Sequence, residues 1–443
     1  MPLTRGRRPR SAAPPAPLPE FDITIVRVGA DGDGVAAVDP PVYVPFTLPG
    51  ERVHARAVTR HGKGYLATAD SWNVESPERV DAPCVHFGAC GGCVLQHWRS
   101  ASYLAWKAGL LKSALARAGY PSPDLAPIVA SAPGTRRRID LAARRTSGGI
   151  ILGLHRHRSA DVIDMAACTV LEPRLLDLLA PLRRVLGSLH AIRRSASAIL
   201  NLLDNGVDLL LRTDAEPSTA DRSTLAAFAQ EHGLPRISWA RGDGLHETLC
   251  LLRRPVITLS GQAVTPPPGG FLQASATGEA AIIAAVRAGM PTRLPARARI
   301  AELYAGCGTL TFALSDLARV TAWEGDGDAA AAARDAAHAG GLAGRVDVIR
   351  RDLARQPLQP SDLGGFPAVL LDPPYGGAGP QMAPIAAARP PVVIYVSCNP
   401  AALARDAAVL RGAGYRLASA TPIDQFLWSS RLESVCVFRL DRG

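Results

Sequence analysis

Arg299-Ile300-Ala301-Glu302-Leu303-Tyr304-Ala305-Gly306-Cys307-Gly308 reads as an apolar strand that runs into a glycine turn. Gly306 and Gly308 permit a tight turn and a close approach of backbone to ligand before a helix begins. A helix is predicted at Thr309–Ala318, and from Ala263 onward strands and helices alternate. RVTAWEG, RVDVIRR, AVLLDPP, VVIYVSC, YRLASATP and SVCVFRL are the further strands, and Ala401–Gly412 is another helix. Apolar strands separated by helices predict an open, mostly parallel α/β sheet covered on both faces. Ligands of such sheets bind beyond the carboxyl ends of the strands, so the chemistry is expected there.

Each strand end carries a candidate. The second ends at Glu324, 16 residues past Gly308, where a carboxylate can accept the hydroxyls of a ribose. The third ends at Asp352, placed to accept from an adenine amino group. With the glycines these describe an adenosine-containing cofactor. The fourth strand ends in Asp372-Pro373-Pro374-Tyr375, whose prolines force an extended turn and stop the strand. The fifth ends in Ser397-Cys398-Asn399-Pro400. Polar neighbours and the strand end keep Cys398 near solvent, while Cys250, Cys307 and Cys436 read as inert small apolar residues.

Upstream, residues 19–74 show short alternating strands separated by Gly, Pro and Asp turns, the pattern of a small barrel. Residues 1–18, rich in Arg and Pro with no apolar core segment, read as a disordered basic tail rather than a signal peptide. Residues 75–262 form a central, mostly-β region. It opens with Cys84, Cys90 and Cys93 and a helix over about 96–121, expected to pack on the last domain, residues 263–443. LLDLLAPLRRVLGSL is a further predicted helix.

The whole chain has 443 residues, 47 % apolar and 20 % charged, which excludes a disordered protein. No apolar run is long enough for a spanning helix. Lys and Arg outnumber Asp and Glu by 49 to 39, a balance that suits a polyanion but also follows from an Arg- and Ala-heavy composition. Arg136-Arg137-Arg138, Arg144-Arg145 and His155-Arg156-His157-Arg158 are candidate phosphate contacts, against the plainer reading of a solvated charged face. Eight cysteines are too few for a disulfide scaffold, and three clustered ones in a reducing compartment suggest a metal.

In this order the motifs resemble the uracil-C5 RNA methyltransferases that use S-adenosylmethionine, above all the bacterial 23S rRNA uridine-C5 methyltransferases. The likeness runs from about Pro19 to Phe438. It implies a Rossmann-like class I methyltransferase domain, an OB-like TRAM barrel that binds RNA, and an iron–sulfur domain between them. Cys84-x5-Cys90-x2-Cys93 with the distant Cys168 resembles the family's 4Fe–4S site; zinc sites more often show paired C-x2-C knuckles. By position, Gln273, Tyr304, Glu324 and Asp372 would contact S-adenosylmethionine, together with Gly306, Gly308 and Asp352. Cys398 would be the nucleophile and Glu433 the base. The resemblance implies RNA as partner, 23S rRNA first and tRNA as the alternative, and a cytoplasmic monomer without membrane contact. Four positions depart from the family pattern. Ser275 stands where Asn is usual, Tyr375 where Arg follows Asp-Pro-Pro, Leu427 where Pro follows Phe, and Arg431 where His precedes the final Glu by two.

Readings from other classes remain. Asp372-Pro373-Pro374-Tyr375 also marks methyltransferases of exocyclic amines, which need no nucleophilic Cys. A radical enzyme would show C-x3-C-x2-C with one open iron. A non-catalytic RNA-binding protein would need only the barrel and the basic patches.

Overall fold

The computed structural model describes residues 18–441. The expected basic tail therefore lies, apart from Leu18, outside the described residues. Contacts divide the chain into two compact units, one ending at Arg79 and one beginning at Val80.

In the first unit, strands Glu20–Val28, Gly34–Ala36, Val42–Val44, Arg52–His61 and Gly64–Val74 close into a five-stranded barrel. Alternation sends Ile23, Ile25, Val42, Val44, Val53 and Ala55 into its core. Closure removes sheet edges that would otherwise present unpaired backbone. Glu51 is buried beside this core, and every polar demand it makes is met. Arg79 Nε and Nη2 donate to its two oxygens at 2.6 and 2.8 Å, with further bonds from Trp72 Nε1 and the Leu48 amide. Burial alone would raise the Glu51 pKa, but Arg79 and these donors outweigh it and hold the carboxyl below its usual range.

The second unit carries two large sheets. One has six strands: His246–Leu251, Arg236–Arg241, Gly206–Thr213, Ser195–Leu203, Arg138–Thr146 and Gly149–Gly153 in spatial order. Most of its pairs are antiparallel. The predicted helix over LLDLLAPLRRVLGSL is two helices, Pro173–Asp177 and Leu179–Ser188. Pro181 is the reason: its ring collides with the carbonyl four residues back, that of Asp177, where the first helix ends.

The other sheet has eight strands, in the order Val346–Arg350, Arg319–Glu324, Arg299–Leu303, Ala368–Leu371, Val392–Ser397, Glu433–Leu440, Tyr415–Asp424 and Val129–Ala130. The first five run parallel, and Glu433–Leu440 is antiparallel to its neighbours. The central strands Ala368–Leu371 and Val392–Ser397 are buried at every residue. Helices cover both faces, so neither face needs polar residues. Helix Ser100–Arg117 places Leu111 and Leu115 in the core cluster that holds Leu403, Leu410, Tyr415 and Phe438. Among the described residues, no helix is long and apolar enough to cross a membrane.

Candidate active site

The sheet reverses direction between the strand that ends at Ser397 and the one that begins at Glu433, so both residues sit at one end of adjacent strands, with Ser397 paired to Ser434. Cys398 and Glu433 are thereby neighbours. Cys398 is half-buried. Its thiol is pushed up to about 12 by burial first, then by the charges of Glu433 and Asp372, with Arg431 acting in the opposite sense.

Glu433 is 4 % exposed, and its Oε1 is buried with no hydrogen-bond partner. Its Oε2 accepts from Gln425 Nε2 at 2.8 Å. The same Gln425 nitrogen donates to Gln273 Oε1 at 2.8 Å, and Gln273 Nε2 reaches Asp372 Oδ2 at 3.4 Å. Two amides thus link two carboxylates in a row. Burial and the partner's charge lift Glu433 above the ordinary carboxylate range; burial and the Glu324 charge lift Asp372. A carboxyl with one bare oxygen and a raised pKa is equipped to take up a proton.

Each strand end contributes as its sequence permits. Gly306 and Gly308 adopt left-handed backbone conformations, with φ of 57° and 96°, and a side chain at Gly308 would collide with the Phe312 ring. Tyr304 holds φ 65° without being glycine, a strained conformation at the mouth of this turn. The Glu324 carboxylate accepts from the Gly306 and Asp326 amides at 2.7 Å each, fixing the glycine turn to the second strand. Asp352 is exposed, and its Oδ1 accepts from the Ala354 and Arg355 amides. Gln273 is buried, with its carbonyl held by Arg137 Nε at 2.9 Å.

Three of the departures have local explanations. Ser275 caps helix Ala276–Gly289, accepting from the Gly278 amide at 3.0 Å, a task that serine and asparagine share. Arg431 lies over the Tyr375 ring at 5.2 Å, so two departing positions meet. Nothing in the structure explains Leu427.

Several residues that shape the site have no role assigned from the sequence. Gln425 is one, and Gly278 leaves room for it, since a side chain there would stand 2.7 Å from Gln425 Cβ. Glu302 is another. It is buried with Oε2 unpartnered, and burial with the Asp372 and Glu324 charges pushes it to about 8. The buried pair Lys107–Asp424 is a third: Lys107 Nζ donates to Asp424 Oδ1 and to the Phe426 carbonyl, and Tyr103 donates to Asp424 Oδ2. This fastens the segment between Asp424 and Glu433 to helix Ser100–Arg117.

Cys84, Cys90, Cys93 and Cys168 are all free thiols and line one cavity of about 390 Å³, which also reaches Ser275, Gln425 and Arg431. The His86 ring accepts from the Ala166 and Ala167 amides, bringing the Cys168 segment to the first three. Burial raises the Cys93 thiol to about 12, and the charges of Cys168, Cys90 and Cys84 add to it. Four convergent thiols that repel one another as thiolates fit a cationic iron core in donor type and number. Among the described residues, however, no three His, Cys, Asp or Glu side chains stand in a set ready to hold a metal ion. The Cys90 sulfur instead accepts from the Gly92 amide at 3.4 Å.

The basic clusters divide. Arg145 donates to the carbonyls of Gly187, Leu189 and Ile192, and Arg137 pairs with Glu279 at 2.5 Å, so both serve the interior of the fold. Arg156 and Arg158 remain exposed.

No protein-family model matches the chain. An uncharacterised RNA methyltransferase of Brucella suis is 40 % identical over 423 residues, which is 95 % of this chain and 98 % of that protein. The chain belongs to the RNA methyltransferases. This RNA methyltransferase is also 34 % identical, over 438 residues, to RlmD of Chromohalobacter salexigens, named a 23S rRNA (uracil(1939)-C(5))-methyltransferase; the match spans 95 % of this chain and 89 % of RlmD. The crystal structure of Pyrococcus abyssi tRNA (uracil-54, C5)-methyltransferase in complex with S-adenosyl-L-homocysteine superposes with a TM-score of 0.72 at 22 % identity. It covers 94 % of this methyltransferase and all of that chain, and it shows the fold.

Proposed function

We propose that this enzyme transfers a methyl group from S-adenosylmethionine to C5 of a uridine in RNA, with Cys398 as nucleophile and Glu433 as base. The observation that carries the reading is that a half-buried thiol and a buried carboxyl with a bare oxygen stand side by side at the ends of adjacent strands. C5 of uracil is a weak nucleophile. Cys398 Sγ adds to C6, and the C5–C6 π electrons move to form an enolate across C4 and C5. S-adenosylmethionine, when bound, supplies a methyl group on a positively charged sulfur. Once C5 has taken the methyl, it still carries its proton. Glu433 Oε1 removes that proton, the C5–C6 double bond re-forms, and Cys398 leaves.

The turn at Gly306 and Gly308 with Glu324 and Asp352 is assigned to the adenosine part, and Tyr304, Gln273 and Asp372 to the remainder of the cofactor. Cys84, Cys90, Cys93 and Cys168 are assigned to a 4Fe–4S cluster with a structural or RNA-docking role, because methyl transfer from a sulfonium requires no electron. The barrel is assigned to RNA binding as a TRAM domain. The RlmD likeness supports 23S rRNA as the substrate.

RNA containing 5-fluorouridine tests the mechanism, since fluorine cannot leave as a proton. A covalent adduct through Cys398 should accumulate. Its absence, or methylation that survives Cys398→Ala, would replace this mechanism with methylation of an exocyclic amine. Mapping methylated uridines in total RNA with and without the protein identifies the substrate, with tRNA as the competing outcome.

A further inference from the structure

Cys398 must ionise before it adds to a pyrimidine, and most of its surroundings oppose this. Glu433 faces it from the neighbouring strand and Asp372 from the turn after Ala368–Leu371; negative charge on either carboxyl opposes a thiolate, and burial works in the same direction. Arg431, on the segment leading into Glu433, is the charged group that acts the other way. Its place is defined on both sides. The guanidinium lies 5.2 Å from the centroid of the Tyr375 ring, and the Arg431 amide donates to Ser429 Oγ at 3.2 Å. Tyr375 is itself tied to the nucleophile's strand end, because Asn399 Nδ2 donates to the Tyr375 carbonyl at 2.9 Å. Asn399 directly follows Cys398. Nucleophile, aromatic ring and cation therefore form one local assembly drawn from three separate strand ends.

We propose that Arg431 and Tyr375 are positioning residues for the nucleophile: Arg431 supplies the positive charge against which Cys398 ionises, and the Tyr375 ring holds that guanidinium in place. This rests on the reading of Cys398 as the nucleophile. Arginine suits the task because it stays charged and stacks flat on an aromatic face, whereas lysine offers a mobile point charge. Tyr375 is 55 % exposed, so its ring is not part of a core that would fix it for packing reasons. RNA closing over the site removes water and strengthens the attraction between thiolate and guanidinium.

The test uses the full-length protein and reads Cys398 without any methyl transfer. The rate at which iodoacetamide alkylates Cys398 is measured against pH, by mass spectrometry of the peptide that contains it. Arg431→Gln should move the midpoint alkaline by about one unit, roughly a tenfold loss of thiolate at fixed pH. Arg431→Lys should move it less. Tyr375→Ala should shift it in the same direction, and Tyr375→Phe should restore the wild-type midpoint, because the ring and not the hydroxyl does the holding. The rate of 5-fluorouridine adduct formation at pH 7 should fall in parallel and recover at higher pH. An unchanged alkylation midpoint in Arg431→Gln, with an unchanged melting temperature, overturns the proposal. If Arg431→Gln unfolds, the Tyr375→Ala and Tyr375→Phe pair decides: equal midpoints in the two overturn it. If the midpoints shift as stated but the wild type forms no adduct, the nucleophile reading fails while the ion pair stands.

Discussion

Glu51 and Glu433 are both buried glutamates, and they are treated in opposite ways. Glu51 in the barrel has both oxygens met by charged or polar donors, and its pKa is held low. Glu433 in the catalytic unit has one oxygen on an amide and one bare, and its pKa is raised. A buried charge that is fully paired stays charged and holds structure together. A buried carboxyl left half-paired is unstable as an anion and therefore ready to accept a proton. The same residue type is held as a charge in one place and left ready for a proton in the other, through the depth of its burial and the partners it finds.

The sharpest way to break this contrast is to remove the proton acceptor while keeping its shape. Glu433→Gln should lower turnover by about 10⁴-fold, the upper range for loss of a general base. The methylated uridine should then remain bonded to Cys398, visible as a protein–RNA species on a denaturing gel without any fluorinated base. Normal turnover would remove Glu433 from the mechanism.

The next effect falls on the barrel. Arg79→Ala leaves Glu51 buried without its ion pair, which should destabilise that unit by about 3–5 kcal/mol. Hydrogen exchange of peptides from residues 18–79, measured in the whole protein, reads this directly. Protection equal to wild type would mean that Glu51 does not depend on Arg79.

A smaller change tests the other member of the pair. Gln425→Leu removes the donor to Glu433 Oε2 and the link to Gln273. Losing one hydrogen bond to a buried charged group should lower turnover about tenfold or somewhat more. Because Gln425 lowers the Glu433 pKa, its loss should also move the acidic limb of the pH–rate profile to higher pH. A pH–rate profile with an unmoved acidic limb would show that the amide row does not tune the base.

How far all this was legible follows from the physics of each signal. The strands ending at Leu303, Leu371 and Ser397 announced themselves because a sheet buried on both faces needs unbroken apolar runs. The helix over LLDLLAPLRRVLGSL was read as one because periodicity outweighed Pro181. Cys398 and the glycine turn at Gly306 and Gly308 were visible at strand ends, and the fold places them there. Gln425, Lys107 and Asp424 were not, because a single polar residue that meets its partner on another element leaves no period in the sequence. Lys107 and Asp424 lie 317 positions apart. The meeting of Tyr375 with Arg431 was likewise invisible, although each had been singled out by itself.

The smallest effect is one of sign. A free glutamate titrates near pH 4.3. Glu51 titrates below that in the folded barrel, so its contribution to stability is present above pH 4.3 and is lost as pH falls through its lowered value. Glu433 titrates above it, so the catalytic unit is penalised progressively as pH rises from 4.3 through the raised value. The two units should therefore respond to pH with opposite slopes in these regions. One proton changes an opening equilibrium by at most about tenfold per pH unit, and burial shared with Asp372 makes the observed slope shallower. Hydrogen exchange at several pH values, corrected for the intrinsic rates, should show peptides around Glu51 losing protection only on the acid side. Peptides around Glu433 should lose it gradually toward alkaline pH, and Glu433→Gln should flatten that slope while leaving the barrel's unchanged. Parallel slopes in the two units would mean that the pairing of a buried glutamate does not set its charge state, and the contrast drawn between the two residues would fall.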